Sequence, residues 1–150
     1  MSTRELSYVY NNEAICAIAI YSVLKEFGYL NYSKVALIPP LVFNNKLIAV
    51  FNGKHKIRGL EELMIKKGEL LTNFNNQYTN FLPLMCNALL LLETMGVITI
   101  IEQGIVITEK EFRMLGVGAR ADKIVKCAPK IATLLREDIE KLYLQLRVIL

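Results

Sequence analysis

The stretch FLPLMCNALLLLETMGVITIIEQGIVIT, residues 81–108, has the pattern of an apolar helix, a glycine stop and a tight hairpin. A helix is expected over 82–95, with a proline in its first turn, where a missing amide proton is tolerated. Gly96 stands at the position where glycine commonly ends a helix. The runs 97–102 and 105–109 are rich in isoleucine and valine, so we expect them to pair as two antiparallel strands.

Helices on both sides of this stretch complete the predicted fold. Two short helices are expected at 57–67 and 69–80, so that three helices precede the hairpin, as in a winged-helix domain. A further helix is expected over 11–29, because its apolar residues recur at helical spacing and Asn11 or Asn12 can cap it. The predicted fold class is mainly α with a small β-hairpin: a winged-helix-like domain with N-terminal and long C-terminal helices.

Three connecting segments have ambiguous patterns. The double proline Pro39-Pro40 ends or kinks a short helix over 32–45 and can also start a second one. Residues 46–51 fit a helix or a short strand equally well, since six residues do not reveal a period. Two glycines make 110–118 a hinge or a loop.

The C-terminal part of the chain predicts a long amphipathic helix over 121–149, with Pro129 as a break or kink. Its apolar stripe is wide, so the helix must dock on its own domain or on another protein. The candidate interface residues on this stripe are Ile131, Leu135, Ile139, Leu142 and Leu146. We therefore expect a winged-helix-like α+β domain at 1–118 and a C-terminal amphipathic helical extension at 119–150.

The composition of the 150-residue chain favours a protein that buries apolar surface against partners. Hydrophobic residues make up 53% of it, and the mean hydropathy of +0.34 is high for a soluble monomer. Membrane insertion is not expected, because no uncharged apolar run reaches the ~18 residues that span a bilayer. The start, MSTRELSYVY, lacks the basic and apolar regions of a signal peptide. We expect a cytoplasmic protein with protein partners and no membrane contact.

Residues that carry catalytic or metal chemistry are sparse. Cys16, Cys86 and Cys127 are odd in number, lie in apolar helical contexts and lack metal-ligand spacing, which favours free packed thiols. The one histidine, His55, lies in a basic loop, so neither a metal site nor a histidine-based catalytic set can be assembled. We expect no catalytic residues, no cofactor, no metal and no small-molecule substrate, and therefore not an enzyme.

The net charge of +4 is concentrated in two basic clusters. Each is a candidate contact for nucleic acid or an acidic partner, and each fits a solvated surface equally well. The first contains Lys54, Lys56, Arg58, Lys66 and Lys67, and the second contains Arg120, Lys123, Lys126 and Lys130, spaced to share one helical face. The segment 68–119 instead holds two basic and five acidic residues, with Glu102 at the hairpin tip. This distribution argues against a wing that grips DNA.

Five blocks of sequence, spread over most of residues 11–108, carry a resemblance to a known family. They are NNEAICAIAIYSVL, SKVALIPPLVF, the motif Leu60-Glu-Glu-Leu63, the aromatic-rich NFNNQYTNFLPLMCNALLLL and the hairpin MGVITIIEQGI. In type and order they resemble the middle components of bacterial three-component ABC systems, which include the small accessory subunit of Lamassu-type anti-phage defence. The resemblance implies a non-catalytic subunit that bridges an SMC- or Rad50-like ATPase and its effector, often a nuclease. It also implies that the effector is restrained until foreign DNA is sensed.

Two other classes of function compete with this one. A winged-helix DNA-binding transcriptional regulator is the alternative, on the strength of the helix–hairpin order and a pI near 9.0. Its recognition helix over 82–95 would have only Asn87, Glu93 and Thr94 as polar residues, without Arg or Lys to read guanine or hold phosphate. A small enzyme is the third class, and no motif supports it. Indirect or backbone contact of the basic clusters with double-stranded DNA stays open.

Overall fold

A computed structural model describes residues 3–54, 56–112 and 118–150, with side chains from residue 11 onward. His55 and residues 113–117 of the predicted hinge or loop lie outside the described residues. The described chain is mostly helical and has one small sheet, which confirms the predicted fold class. The helices are α1 (Thr3–Leu24), α2 (Tyr32–Val35), α3 (Ile38–Val42), α4 (Asn45–Phe51), α5 (Leu60–Lys67), α6 (Phe74–Thr94), α7 (Ala119–Leu135) and α8 (Ile139–Gln145), and the strands are β1 (Tyr29–Asn31), β2 (Ile98–Ile100) and β3 (Gly104–Ile107).

Helix α1 begins earlier and ends earlier than the sequence predicted. It starts at Thr3, so Asn11 and Asn12 lie inside it and the prediction that one of them caps it is wrong. The preceding residues contain no glycine or proline that would stop a helix. Gly28, with a φ of +77°, donates its amide to the carbonyl of Leu24 at 2.8 Å and ends the helix, as predicted.

Helix α6 is one helix of 21 residues, where the sequence predicted two helices with a break before Pro83. The proline removes one backbone hydrogen bond, but it does not end the helix. Tyr78, Met85 and Leu89, on both sides of the proline, are buried, and α6 packs against α1 and α3. This packing offsets the lost bond. Gly96, with a φ of +78°, follows the end of the helix, as predicted.

The sheet contains three antiparallel strands in the order β1–β3–β2, one strand more than predicted. Strands β2 and β3 form the predicted hairpin, and the Ile101 amide donates to the Gly104 carbonyl at 2.9 Å. The turn therefore lies one residue earlier than Gln103-Gly104, the two residues between the predicted strands 97–102 and 105–109. Strand β1 was missed because three residues show no alternation. The winged-helix interpretation is compatible with this strand order and stays a prediction.

Gly104 is buried where β1 lies against β3. A Cβ atom at this position would lie 2.1 Å from the carbonyl oxygen of Leu30 and 2.8 Å from the Cα atom of Asn31. Both neighbours are backbone atoms, so no side-chain rotation relieves the overlap. The close approach of the two strands therefore requires glycine at this position.

The ambiguous segment between β1 and α5 is helical. Pro39 and Pro40 occupy the first turn of α3, where their missing amide protons cost little. Residues 46–51 belong to α4, which resolves the choice between helix and strand. Asn44 caps this helix, since its side-chain oxygen accepts a hydrogen bond from the Leu47 amide at 3.2 Å.

The predicted C-terminal helix is broken after Leu135 rather than at Pro129. Pro129 lies within α7, and Asp138 begins α8 by accepting a hydrogen bond from the Glu140 amide at 3.3 Å. Helix α7 packs along α1, and its buried residues from Ile124 to Leu135 belong to the same hydrophobic core as buried residues of α1 and α6. The two-part division at residue 118 stays a prediction, but the two parts share one core.

The core is centred on the second half of α1, where every residue from Ile15 to Leu24 is buried. Ser22 is a polar member of this segment, and its hydroxyl donates to the Ile18 carbonyl at 2.6 Å. Within the described ranges, no single helix is both long enough and apolar enough to span a membrane. The pair Tyr32–Val42 and Asn45–Phe51 meets the length and composition criteria only together, and it is bent by 99°.

Candidate functional site

Helix α4 forms a ridge between two surface grooves. The α4–α7 groove, between α4 and α7, has a volume of about 650 Å³. The α4–α5 groove, on the side of α4 that faces α5, has a volume of about 490 Å³. Ala49 is exposed on α4 and lines both grooves. The two grooves are therefore adjacent and share one wall.

The α4–α7 groove contains three members of the second basic cluster. Arg120, Lys123 and Lys126 line it at successive intervals of three residues along α7. The Arg120 guanidinium lies 5.1 Å from the centre of the Phe43 ring, and this ring stacks on Phe81 of α6 at 4.9 Å. The cation–π contact orients Arg120 at one end of the groove.

The fourth member of this cluster, Lys130, serves the fold. Its ammonium group donates to the carbonyl of Phe51 and, at 3.5 Å, to the carbonyl of Gly53, where α4 ends. Beside it, the Asn52 side chain donates to the carbonyl of Lys123 at 3.0 Å. The two Lys130 bonds satisfy carbonyl groups at the end of α4, and together with the Asn52 bond they hold α4 against α7. Lys130 is therefore a structural residue more than a partner contact.

The first basic cluster lies on and beside the α4–α5 groove. Lys66 and Lys67 line this groove, and Lys54, Lys56 and Arg58 are exposed on the segment leading to α5. Lys66 donates to the carboxylate of Glu62 at 2.7 Å, and the backbone amide of Arg58 donates to it at 2.9 Å. These two hydrogen bonds hold the pKa of Glu62 below its ordinary value. Because the pair is exposed, it adds little stability.

The structure brings together two basic clusters that are far apart in the sequence. Lys123 and Lys67 are 56 positions apart, yet they line neighbouring grooves on either side of α4. The ridge itself was missed, because residues 46–51 had no decisive pattern. The capping signal at Asn44 could have predicted that this segment is helical and exposes one face.

The candidate interface residues of the C-terminal stripe are placed in the chain's own core. Ile131, Leu135, Leu142 and Leu146 are buried, and Ile139 is half-buried. The predicted alternatives were docking on the same domain or on another protein, and these side chains pack against the same domain. The exposed apolar residues in this region lie elsewhere, at Leu144, Ile149 and Leu150.

Helix α6 and the hairpin form a second surface, called here the α6–hairpin face. Residues 74–107 contain no lysine or arginine. Leu90 is 58% exposed, Leu91 37% and Ile101 41%. Glu93 on α6 accepts a hydrogen bond from the backbone amide of Ile100 at 3.0 Å, which ties the helix to the hairpin. This face exposes three large apolar side chains and takes no cation from residues 74–107, although the Lys110 side chain lies against Gly96 at its edge.

The two buried thiols are unlike those of a reactive site. Burial raises the pKa of Cys16 to about 12 and that of Cys127 to about 11, so both are protonated near neutral pH. Cys86 is exposed on α6. In the part of the chain that the structure describes, no group of three or more His, Cys, Asp or Glu residues could hold a metal ion.

The protein is thus small and mostly helical, with a three-stranded sheet, two grooves beside α4, and exposed apolar side chains on the α6–hairpin face. Residues 2–149 match a family model described as ABC-three component (ABC-3C) system Middle Component 3. The chain belongs to this family of middle components, which confirms the resemblance seen in the sequence. No match was found among curated proteins or among solved structures.

Proposed function

We propose that the protein is a non-catalytic accessory subunit that bridges the ATPase and the effector of its three-component system. The observation that carries this proposal is the presence of two chemically different surfaces on one small core. One is the α6–hairpin face, with its exposed Leu90, Leu91 and Ile101, and the other is the cationic α4–α7 groove. Surfaces of unlike chemistry select unlike partners, which a bridging subunit needs.

The two surfaces are far enough apart to be occupied together. Phe81, which stacks on Phe43 beside the α4–α7 groove, is nine positions before Leu90 on the same helix. Nine residues of helix correspond to a distance of about 14 Å. Helix α1 packs against both α6 and α7, so the same rigid core carries both surfaces.

The α6–hairpin face is suited to a stable protein interface. Leu90, Leu91 and Ile101 leave apolar area in water that a partner would cover, and permanent interfaces are rich in such area. Residues 74–107 contribute no lysine or arginine, so they supply none of the cationic phosphate contacts on which binding to duplex DNA depends. This face therefore supports protein docking better than DNA reading.

The resemblance to Lamassu-type middle components suggests which type of ATPase is the partner and how the effector is controlled. The ATPase would be of the SMC or Rad50 type, and the effector would be held inactive until foreign DNA is sensed. Family membership as a middle component supports an accessory role within such an assembly. The two buried thiols with raised pKa values fit a subunit without nucleophilic chemistry.

Co-expression with the ATPase and the effector of the same system tests the bridging role. The tagged wild-type chain should purify with both proteins. The double variant Leu90→Lys/Ile101→Lys should lose one of them and keep the other, because a buried ammonium group in an apolar interface is costly. The matched control is Ile65→Lys/Leu144→Lys, which adds the same charge at positions that are 79% and 80% exposed. A wild-type chain that purifies with neither protein would refute the bridging role.

The alternative of a DNA-binding transcriptional regulator is favoured by one observation, the antiparallel strand order β1–β3–β2 beside a long helix. It predicts salt-dependent binding of the isolated chain to duplex DNA at sub-micromolar affinity. Such binding should weaken on substitution of Asn87, which is exposed on α6. Binding that persists in Asn87→Ala would locate the contact away from α6.

A further inference from the structure

We infer that the α4–α7 groove binds an acidic amphipathic segment of a partner protein, and this inference rests on the proposed bridging function. Apolar side chains of that segment would lie on the floor of the groove, and its carboxylates would pair with Arg120, Lys123 and Lys126. Neither the family match nor the proposed function says what kind of partner segment the α4–α7 groove binds.

The charge of the groove selects an anionic partner. Three cations line it, and no carboxylate does so among the residues that the structure describes. The ammonium groups of Lys123 and Lys126 are exposed and have no hydrogen-bond or ion-pair partner within the described chain. A partner carboxylate would therefore gain a charge-assisted hydrogen bond without breaking an existing one.

The floor of the groove selects a partner with apolar side chains. Val42, Ile48 and Ile124 form this floor, and exposed Ala49 and Ala119 continue the apolar surface toward the rim. A nucleic-acid backbone offers phosphates and sugars and gains little from covering aliphatic carbon. An amphipathic helix, in contrast, places apolar residues in a groove and polar ones at its edges.

The volume and rigidity of the groove fit a segment of a folded partner. A volume of about 650 Å³ accommodates several side chains. Two contacts fix its walls before binding: the Asn52 side chain bonds the Lys123 carbonyl at 3.0 Å, and Lys130 bonds the end of α4. A preformed groove loses less conformational entropy when the partner binds.

The cations outside this groove do not extend it into a continuous phosphate track. Lys130 is bonded to the carbonyl groups at the end of α4, and Lys66 is paired with Glu62. Two of the nine predicted contacts thus make side-chain hydrogen bonds or ion pairs within the chain. The cations that remain free of such bonds at the α4–α7 groove border an apolar floor, so an acidic protein segment is favoured over DNA.

Site-specific photo-crosslinking tests this inference in cells that express the whole three-component system. A benzoyl-phenylalanine at Ala49, which lines the groove and is exposed, should cross-link to a partner segment. Mass spectrometry should show that this segment is rich in Asp and Glu, with apolar residues at helical spacing. Lys123→Glu/Lys126→Glu should reduce the cross-link at least fivefold, whereas Lys25→Glu/Lys141→Glu, with the same charge change at exposed sites, should not. Lysines at the acidic positions of the identified segment should restore the cross-link to the reversed groove.

Each other outcome overturns the inference. Cross-linking to DNA, to a segment without carboxylates, or at a yield no higher than from the same photo-crosslinker at exposed Ile65 would do so. An unchanged yield in Lys123→Glu/Lys126→Glu, with unfolding by urea also unchanged, would exclude a role for charge. The co-purification of ATPase and effector is measured separately, through the α6–hairpin face. Failure of the groove inference is therefore distinguishable from failure of the bridging function.

Discussion

Replacing Gly104 with alanine tests whether the contact between β1 and β3 supports the fold. The added methyl group would lie 2.1 Å from the carbonyl oxygen of Leu30, a distance below 3.0 Å that real Cβ atoms do not show. The two strands must therefore move apart by roughly 1 Å. Because the atoms that overlap with the new methyl group belong to the backbone of β1, no side-chain rotation relieves the overlap, and the strands themselves have to shift.

The cost of this movement follows from the bonds at the ends of the β1–β3 ladder. The Tyr32 amide donates to the Gln103 carbonyl at 3.1 Å, and the Ile107 amide donates to the Gly28 carbonyl at 2.9 Å. A backbone hydrogen bond contributes about 0.5–1.5 kcal/mol net, and overpacking costs about 1–3 kcal/mol. We expect Gly104→Ala to lower the free energy of unfolding by about 2–4 kcal/mol.

Urea unfolding followed by circular dichroism at 222 nm measures this change. The midpoint should fall while the slope m stays constant, since the folded state remains compact. Gly68→Ala is the matched control: its Cβ meets nothing within 4 Å and its φ is −56°. It should be neutral or stabilising by up to about 1 kcal/mol. Gly28→Ala, which has open space but a φ of +77°, isolates the backbone strain, about 1–2 kcal/mol.

A Gly104→Ala variant within about 0.5 kcal/mol of the wild type would refute this reasoning, since surface substitutions alone vary by that much. A loss equal to that of Gly28→Ala would also count against it, because a buried clash between backbones should exceed local strain at an open site.

Three further predictions concern Glu137 and the thiols. Glu137 accepts a hydrogen bond from the Leu60 amide at 3.0 Å and so caps the start of α5 from a distant part of the chain. Glu137→Ala should therefore lower the free energy of unfolding by about 1–2 kcal/mol, measured by urea unfolding. An unchanged urea midpoint would exclude the cap. Exposed Cys86 should react with Ellman's reagent in the native protein, whereas buried Cys16 and Cys127 should react only after unfolding. We therefore expect the native protein to show one rapidly reacting thiol per chain. Burial raises the pKa of Cys16 from 9.0 to about 12, so the folded state keeps a proton that the unfolded state loses. This thiol should therefore leave the free energy of unfolding unchanged below pH 9 and lower it as the pH rises from 9 toward 12. The free energy of unfolding of Cys16→Ala should fall less steeply over the same pH range. Equal slopes of stability against pH in the wild type and in Cys16→Ala would contradict this prediction.

Local signals in the sequence predicted several elements correctly. Gly28 and Gly96 end helices with positive φ angles, and Pro39-Pro40 occupies a first helical turn. These residues act through their own backbone preferences, which the surroundings rarely override. The fold class and the family resemblance followed from such signals and from helical spacing.

Predictions failed where packing outweighed a local signal. Pro83 did not break α6, because buried residues on both sides of it hold one continuous helix against the core. Asn11 did not cap α1, since nothing before it stops the helix. Strand β1 has three residues, and its pairing with β3 depends on Gly104, which is 73 positions away from Asn31. No local pattern reports a contact over that separation.

Some features of the candidate site follow from the sequence, and others depend on the packing of the chain. The residues themselves showed that nine cations form two clusters, that 74–107 carries none, and that catalytic chemistry has no visible support. Charge and residue type are properties of the chain and need no fold. Packing placed the two clusters on either side of α4, engaged Lys130 with the end of that helix and buried Leu135 and its neighbours in the core. These positions depend on contacts between residues that are far apart in the sequence. Only the tertiary structure therefore shows which residues belong to the core and which are exposed to a partner.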